Sequence, residues 1–162
     1  MSDAKPKPAT KRVRKFLVVV DKSSESHVAL RFATRRAQAT GGRVTLLCMA
    51  SPADFQQWRG VEEIMKDEAH REAESLIHAA AKLVNEMSGL MPELVILEGR
   101  TAECLLKLIT EDKYISILVL AASTAKEGPG PLVAMVGSAS QYPIPVTIVP
   151  GNLSDEAIDL LA

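Results

Sequence analysis

Cysteine is scarce: Cys48 and Cys104 are the only two among 162 residues. That count excludes a disulfide-built scaffold, and the two have no metal-ligand spacing. Each falls inside an apolar periodic segment, where a reduced core thiol is expected. Long hydrophobic runs are missing too. No stretch nears the roughly 18 consecutive apolar residues of a membrane span, and the N-terminus lacks the apolar centre of a secretory signal. A cytoplasmic protein with no membrane partner is the expectation. Net charge is close to nil, −1 from 19 basic and 20 acidic residues, so no global attraction to nucleic acid is expected.

Phosphate-binding signatures are incomplete. No Gly-x-x-x-x-Gly-Lys-Ser/Thr run occurs, and Val133 stands where a dinucleotide fingerprint counted from Gly130 needs its third glycine. The first apolar run is followed by "DKSSES", which has no glycine. No Gly-x-Ser-x-Gly elbow and no legible set of nucleophile, base and orienting group occurs, so an enzyme is not the expected outcome.

What is present is the composition of a globular domain, 47% apolar and 24% charged. Basic residues crowd the start: Lys5, Lys7, Lys11, Arg12, Arg14 and Lys15 face one acid, Asp3, with Pro6 and Pro8 among them. Residues 1–14 therefore read as a solvated basic tail, residues 15–150 as the domain and 151–162 as a C-terminal extension. In that extension Ser154 is a helix cap, Asp155 and Glu156 fill the first turn, and Ile158, Leu160 and Leu161 follow. It is expected to pack on its own domain or on a second copy.

Five short runs rich in valine, isoleucine and leucine lack strict alternation: "FLVVV" (16–20), "RVTLLCM" (43–49), "ELVILEG" (93–99), "ISILVLAAS" (115–123) and "PVTIVP" (145–150). Such runs are strands covered on both faces. Helical patterns separate them. The first has Ser23 or Ser24 as cap, Glu25 in the first turn, a face of Val28, Ala29, Phe32, Ala33 and Ala37, and Gly41-Gly42 as stop. The long second one carries Met65, Ala69, Ala73, Leu76, Ala80, Leu83, Val84 and Met87 as its apolar stripe and ends at Gly89. A third gathers Leu105, Leu106 and Ile109 after a Thr101 cap. Strand and helix alternating in this way give an α/β fold, a five-stranded, mostly parallel sheet with helices on both faces. Ligands of such sheets bind at the carboxyl ends of the strands, where strand order reverses. Asp21 and the glycine-rich "STAKEGPGPLVAMVGS" (123–138) belong to that edge, and Gly137-Ser138 reads as the start of a fourth helix.

The whole pattern resembles the universal stress protein family from about Phe16 to Val149. The resemblance is carried by "FLVVVDKSSESHVALRFA", "GGRVTLLCMASP", "EGRTAECLLKLI", "ISILVLAAS", the "GS" of Gly137-Ser138 and "PIPVTIVP". It implies a flavodoxin-like, Rossmann-like three-layer sandwich and a homodimer formed through the last strand, here Val146, Thr147, Ile148 and Val149. In one branch of the family it also implies an ATP or AMP site. There Asp21 matches an aspartate that contacts the adenosine, and Leu47, Cys48 and Met49 match backbone that touches the base. The phosphate loop of that branch has the spacing Gly, two residues, Gly, nine residues, Gly-Ser/Thr. Counted back from Gly137-Ser138, its first two glycine positions hold Thr124 and Glu127, while Gly130 matches a frequent extra glycine. Side chains at those two positions crowd the cradle, and a carboxylate about 4 Å from a phosphate charge costs roughly 4 kcal/mol at an effective dielectric of 20. The segment between Gly137-Ser138 and the last strand is short as well, "ASQYP" before Ile144-Pro145, with room for about one helical turn. Part of one sheet face should be less covered than is usual in the family.

Other groups weigh less. His70, Glu74 and His78 recur every four residues, as a solvated helix row rather than a metal site. His27 near Asp21 reads as a surface histidine. Phe55 and Trp58 in "DFQQWRGVEEI" would anchor a mobile lid or an interface element. The expected function is a stress-response homodimeric binding or adaptor module with an altered nucleotide site and an unspecified protein partner. An adenine-nucleotide-binding regulator is the alternative, and a slow nucleotide hydrolase the weakest.

Overall fold

The structure, a computed structural model, describes residues 12–50 and 59–162, with the side chains of 59–63 and 138–140 excepted. Phe55, Trp58 and most of the basic tail lie outside the described residues. The valine- and leucine-rich runs form β1 (Lys15–Val20), β2 (Arg43–Met49), β3 (Glu93–Leu97), β4 (Ile115–Ala122) and β5 (Val146–Pro150). Every neighbouring pair is parallel, in the order β3-β2-β1-β4-β5. The central strands lack alternation because both faces are covered. Phe16, Val18 and Val20 of β1 enter one core layer, Leu17 and Val19 the other.

Helices α1 (Ser26–Thr40), α2 (Arg59–Ser88) and α5 (Asp155–Leu161) pack on the first face. The second face is covered by α3 (Thr101–Glu111) and the short α4 (Pro131–Met135), which continues as a 3₁₀ turn over Val136–Gln141. No helix among the described residues is long and apolar enough to cross a membrane.

Several local expectations shift. The cap of α1 is Glu25, with no side-chain cap bond, because Ser23 turns back onto Asp21 instead. Thr101 is the first residue of α3, and Arg100 holds its cap position. In α2 the stripe is rotated: Ile77 is fully buried beside Ala73, Ala80 and Val84, while Leu83 is 46% exposed. Cys48 is buried, but Cys104 is only partly so and donates to the Glu98 carbonyl at 3.4 Å; both thiols are free. The fourth helix starts not at Gly137-Ser138 but at Pro131, since proline preorganises a first helical residue. Gly137 then falls in the 3₁₀ turn. This short cover leaves Ile148, on the α3/α4 side of β5, 45% exposed.

The C-terminal helix forms as its sequence suggests. Ser154 Oγ accepts from the Ala157 amide at 3.2 Å. Ile158 is buried in the core shared with α1, and Asp159 takes Arg31 at 2.7 Å and Arg35 at 3.0 Å. Leu160 and Leu161 point outward.

Candidate functional site

The strand order reverses between β1 and β4, so the loops following these two strands flank a crevice at their carboxyl ends. The β1 loop is organised by Asp21. Its Oδ1 accepts from the Ser23 amide at 2.9 Å and from the Ser23 hydroxyl, while the Asp21 amide donates to Ser26 Oγ at 3.4 Å. Among the described residues no donor reaches Asp21 Oδ2. One carboxylate oxygen is thus used to shape the turn and the other is left as an acceptor.

Beside Asp21 a cleft of about 440 Å³ opens between the ends of β1 and β2 and helix α2. Cys48 and Met49 lie at its strand side, Ala69 and Ala73 on α2 keep the opposite wall low, and Leu132 and Met135 close it from α4. Lys22 and Glu72, both lining it, form an ion pair across the rim. Burial pushes the Cys48 thiol above its ordinary value, and the charges of Asp21 and Glu72 add to the shift. The shift favours the neutral thiol in this wall. A mostly apolar cleft of this size with a few convergent polar groups suits a small organic ligand.

A second, tighter crevice of about 60 Å³ lies between the β1 and β4 loops, bounded by Asp21, Ser23, Glu25, Ser26 and Gly130. Val19, Asp21, Pro131 and Leu132 line both spaces. Glu25 reaches into the tighter one. A Cβ added at Gly130 would stand 3.8 Å from Glu25 Oε1, and one added at Gly151 would stand 3.1 Å from Glu25 Cβ and collide with the Ala122 carbonyl at 2.1 Å.

The profile of the Universal stress protein family matches residues 12–150. The chain belongs to the universal stress protein family. Among solved structures, universal stress protein UspA from Lactobacillus plantarum is similar with a TM-score of 0.71 at 18% identity, over 85% of this chain and 98% of that one. The universal stress protein from Archaeoglobus fulgidus in complex with dAMP gives 0.59 at 19%, over 85% and 98%. A family protein from Arabidopsis thaliana with AMP bound gives 0.62 at 15%, over 88% and 94%. No curated protein sequence matches the chain significantly.

In this universal stress protein the residues singled out from sequence are brought together only in part. Asp21, Cys48 and Met49 border the large cleft and Gly130 borders the tight crevice. Leu47 has its side chain sealed in the core of the α3/α4 face. Thr124 and Glu127 are exposed and border neither space. The ungapped count misplaces them because the loop is pinched off: the Ser123 amide donates to the Pro129 carbonyl at 2.8 Å, and Gly128 (φ 123°) and Gly130 (φ 93°) supply the left-handed backbone of the turn. Residues 124–127 then project to solvent, and the carboxylate that joins Asp21 at the crevice is Glu25. Gly137 is exposed and borders neither space, and the side chain of Ser138 lies outside the described set.

Lys22 and Glu72 are not singled out by the sequence, and Glu25 is read there only as a first-turn acid of α1, whereas it holds the cap position. Ala69 and Ala73 were visible as a pair four residues apart, but small residues on an apolar stripe look like core until the strand ends are in place. His27 is exposed, with Nδ1 2.6 Å from the Ser24 carbonyl. His70 lies 3.2 Å from Glu74 on the outer side of α2, and no group of three metal-ligating side chains occurs among the described residues.

Proposed function

We propose that this universal stress protein is a binding and adaptor module of the stress response whose cleft takes an adenine nucleoside or its monophosphate through an altered nucleotide site. The observation that carries this is the contrast between the two spaces. About 440 Å³ is open beside Asp21, whereas the adjoining crevice is about 60 Å³ and lined by the carboxylates of Asp21 and Glu25. The first suits a nucleoside; the second does not suit a chain of phosphates. Asp21 Oδ2 accepts from the ribose, and the backbone at Cys48 and Met49 meets the base edge. Thr124, Glu127 and Gly137, matched by the family spacing, have no part in this arrangement. Relatives solved with AMP and dAMP support the choice of adenine.

The module works as a cytoplasmic homodimer joined along β5, through Val146 to Val149. Support comes from the position of β5 at the sheet edge and the exposure of Ile148. Calorimetric titration with adenosine, AMP and ATP tests the site. Binding of adenosine and AMP that is lost in Asp21→Ala is expected. ATP bound more tightly than AMP would overturn the altered site in favour of an ATP-binding regulator, and no binding of any of the three up to about 1 mM would overturn the ligand class. Light scattering tests the dimer; a monomer at micromolar concentration refutes it.

A further inference from the structure

We infer that Glu25 is a specificity determinant that sets the length of phosphate chain this protein accepts, holding the place that a second or third phosphate would need. The inference rests on the adenine-binding proposal above and deepens it.

The two spaces share Asp21, Pro131 and Leu132 as a common wall, so a ligand seated in the large cleft and extended past Asp21 runs into the tight crevice. Glu25 stands there, half-buried, between the loops that follow β1 and β4. Gly151 lies against its Cβ and Gly130 beside its carboxylate, both without side chains, and Ser24 Oγ donates to Oε2 at 3.3 Å. It makes no cap bond to α1, although it occupies the cap position. A glutamate there adds nothing to the cap that Ser, Asn or Asp would not do better, and helix start alone does not explain its inward course.

Charge points the same way. The residues lining the two spaces include three carboxylates, Asp21, Glu25 and Glu72, against one ammonium, Lys22, which Glu72 already engages. A neutral nucleoside meets no penalty in that field. Each added phosphate brings negative charge closer to Glu25, which is partly buried at the crevice. Affinity should fall from adenosine and AMP toward ADP and ATP, opposite to a site that grips phosphates with glycine backbone and a helix start.

The test is calorimetric titration of adenosine, AMP, ADP and ATP, with EDTA so that no metal masks phosphate charge, into the wild type, Glu25→Gln and Glu25→Ser. The glutamine keeps the size and removes the charge. The serine empties the crevice and improves the cap, so the two variants cannot both fail by misfolding. The expected result is a wild type that binds ATP more weakly than AMP, and an ATP-to-adenosine affinity ratio that rises about tenfold in both variants. Added salt should narrow the wild-type gap between AMP and ATP. If adenosine binds but ATP equals or exceeds AMP in the wild type, or if neither variant moves the ratio, Glu25 has no such role while the adenine site stands. If neither adenosine nor AMP binds any of the three proteins, the adenine proposal itself falls, and this inference with it.

Discussion

Replacing Ile77 by alanine should cost far more stability than replacing Leu83, although the apolar stripe read from the sequence of α2 includes Leu83 and not Ile77. Ile77 is fully buried against the β-sheet core, whereas Leu83 is 46% exposed. Ile77→Ala removes three carbons, about 2.4 kcal/mol at ~0.8 kcal/mol per buried methylene. The hole left between helix and sheet adds to that, for a total of about 3–4 kcal/mol. In Leu83→Ala about half of that area was already wet, no closed cavity forms, and alanine is the better helix former by a few tenths. A loss below about 1 kcal/mol is expected. For a chain of this size, thermal melts followed by circular dichroism should show Tm falling by about 10 °C in the first case and by about 3 °C or less in the second. Equal losses, or the larger loss at Leu83, would refute the rotation of α2 on which the alanine-lined wall of the cleft depends.

Asp21→Ala should weaken adenosine by about 10- to 100-fold, since a hydrogen bond to a charged group contributes about 1.5–3 kcal/mol; an unchanged affinity would place the nucleoside elsewhere. Lys15 Nζ bridges Glu93 and Asp112, each at 2.8 Å, at the amino end of the sheet. Burial disfavours the Lys15 charge, but hydrogen bonds to Asp112 and Glu93 outweigh it and raise the pKa above 10.5, so this stabilisation is complete below that pH and is lost as pH climbs through the raised value. Burial also opposes the Asp112 charge, yet the Lys15 and Tyr114 hydrogen bonds bring its pKa below 3.8, so its share is present above that pH and disappears as pH falls through the lowered value. Lys15→Met should cost about 1–2 kcal/mol near neutrality and flatten the alkaline limb of the stability curve; an unaltered alkaline limb would show that the bridge does not act in solution. A thiol reagent at pH 8 should modify the partly exposed Cys104 well before buried Cys48, and the reverse order in peptide mass spectrometry would contradict the closed strand side of the cleft.

The five strands were readable because each is a contiguous run of β-branched and leucine residues that must be covered on both faces. The alternation with helices then fixed a parallel sheet, with the site at its carboxyl edge beside Asp21. The Ser154 cap was readable for the same reason, being a bond between residues three apart. Helix rotation was less so: the stripe read from the sequence of α2 takes in Leu83 and passes over Ile77, and only the sheet beneath the helix reverses that choice.

Local pattern by itself determined the layers and which end of the sheet holds the cleft, since both follow from interactions among residues near one another in the chain. Tertiary structure alone decided which carboxylate joins Asp21 at the crevice. Glu127 lies in the loop that sequence spacing points to, but the Ser123–Pro129 bond and two left-handed glycines turn it into water. Glu25 belongs to another loop and arrives because β1 and β4, about a hundred residues apart, pair side by side. Spacing along a chain measures contour length, and the meeting of two loops depends on strand pairing that no local spacing encodes.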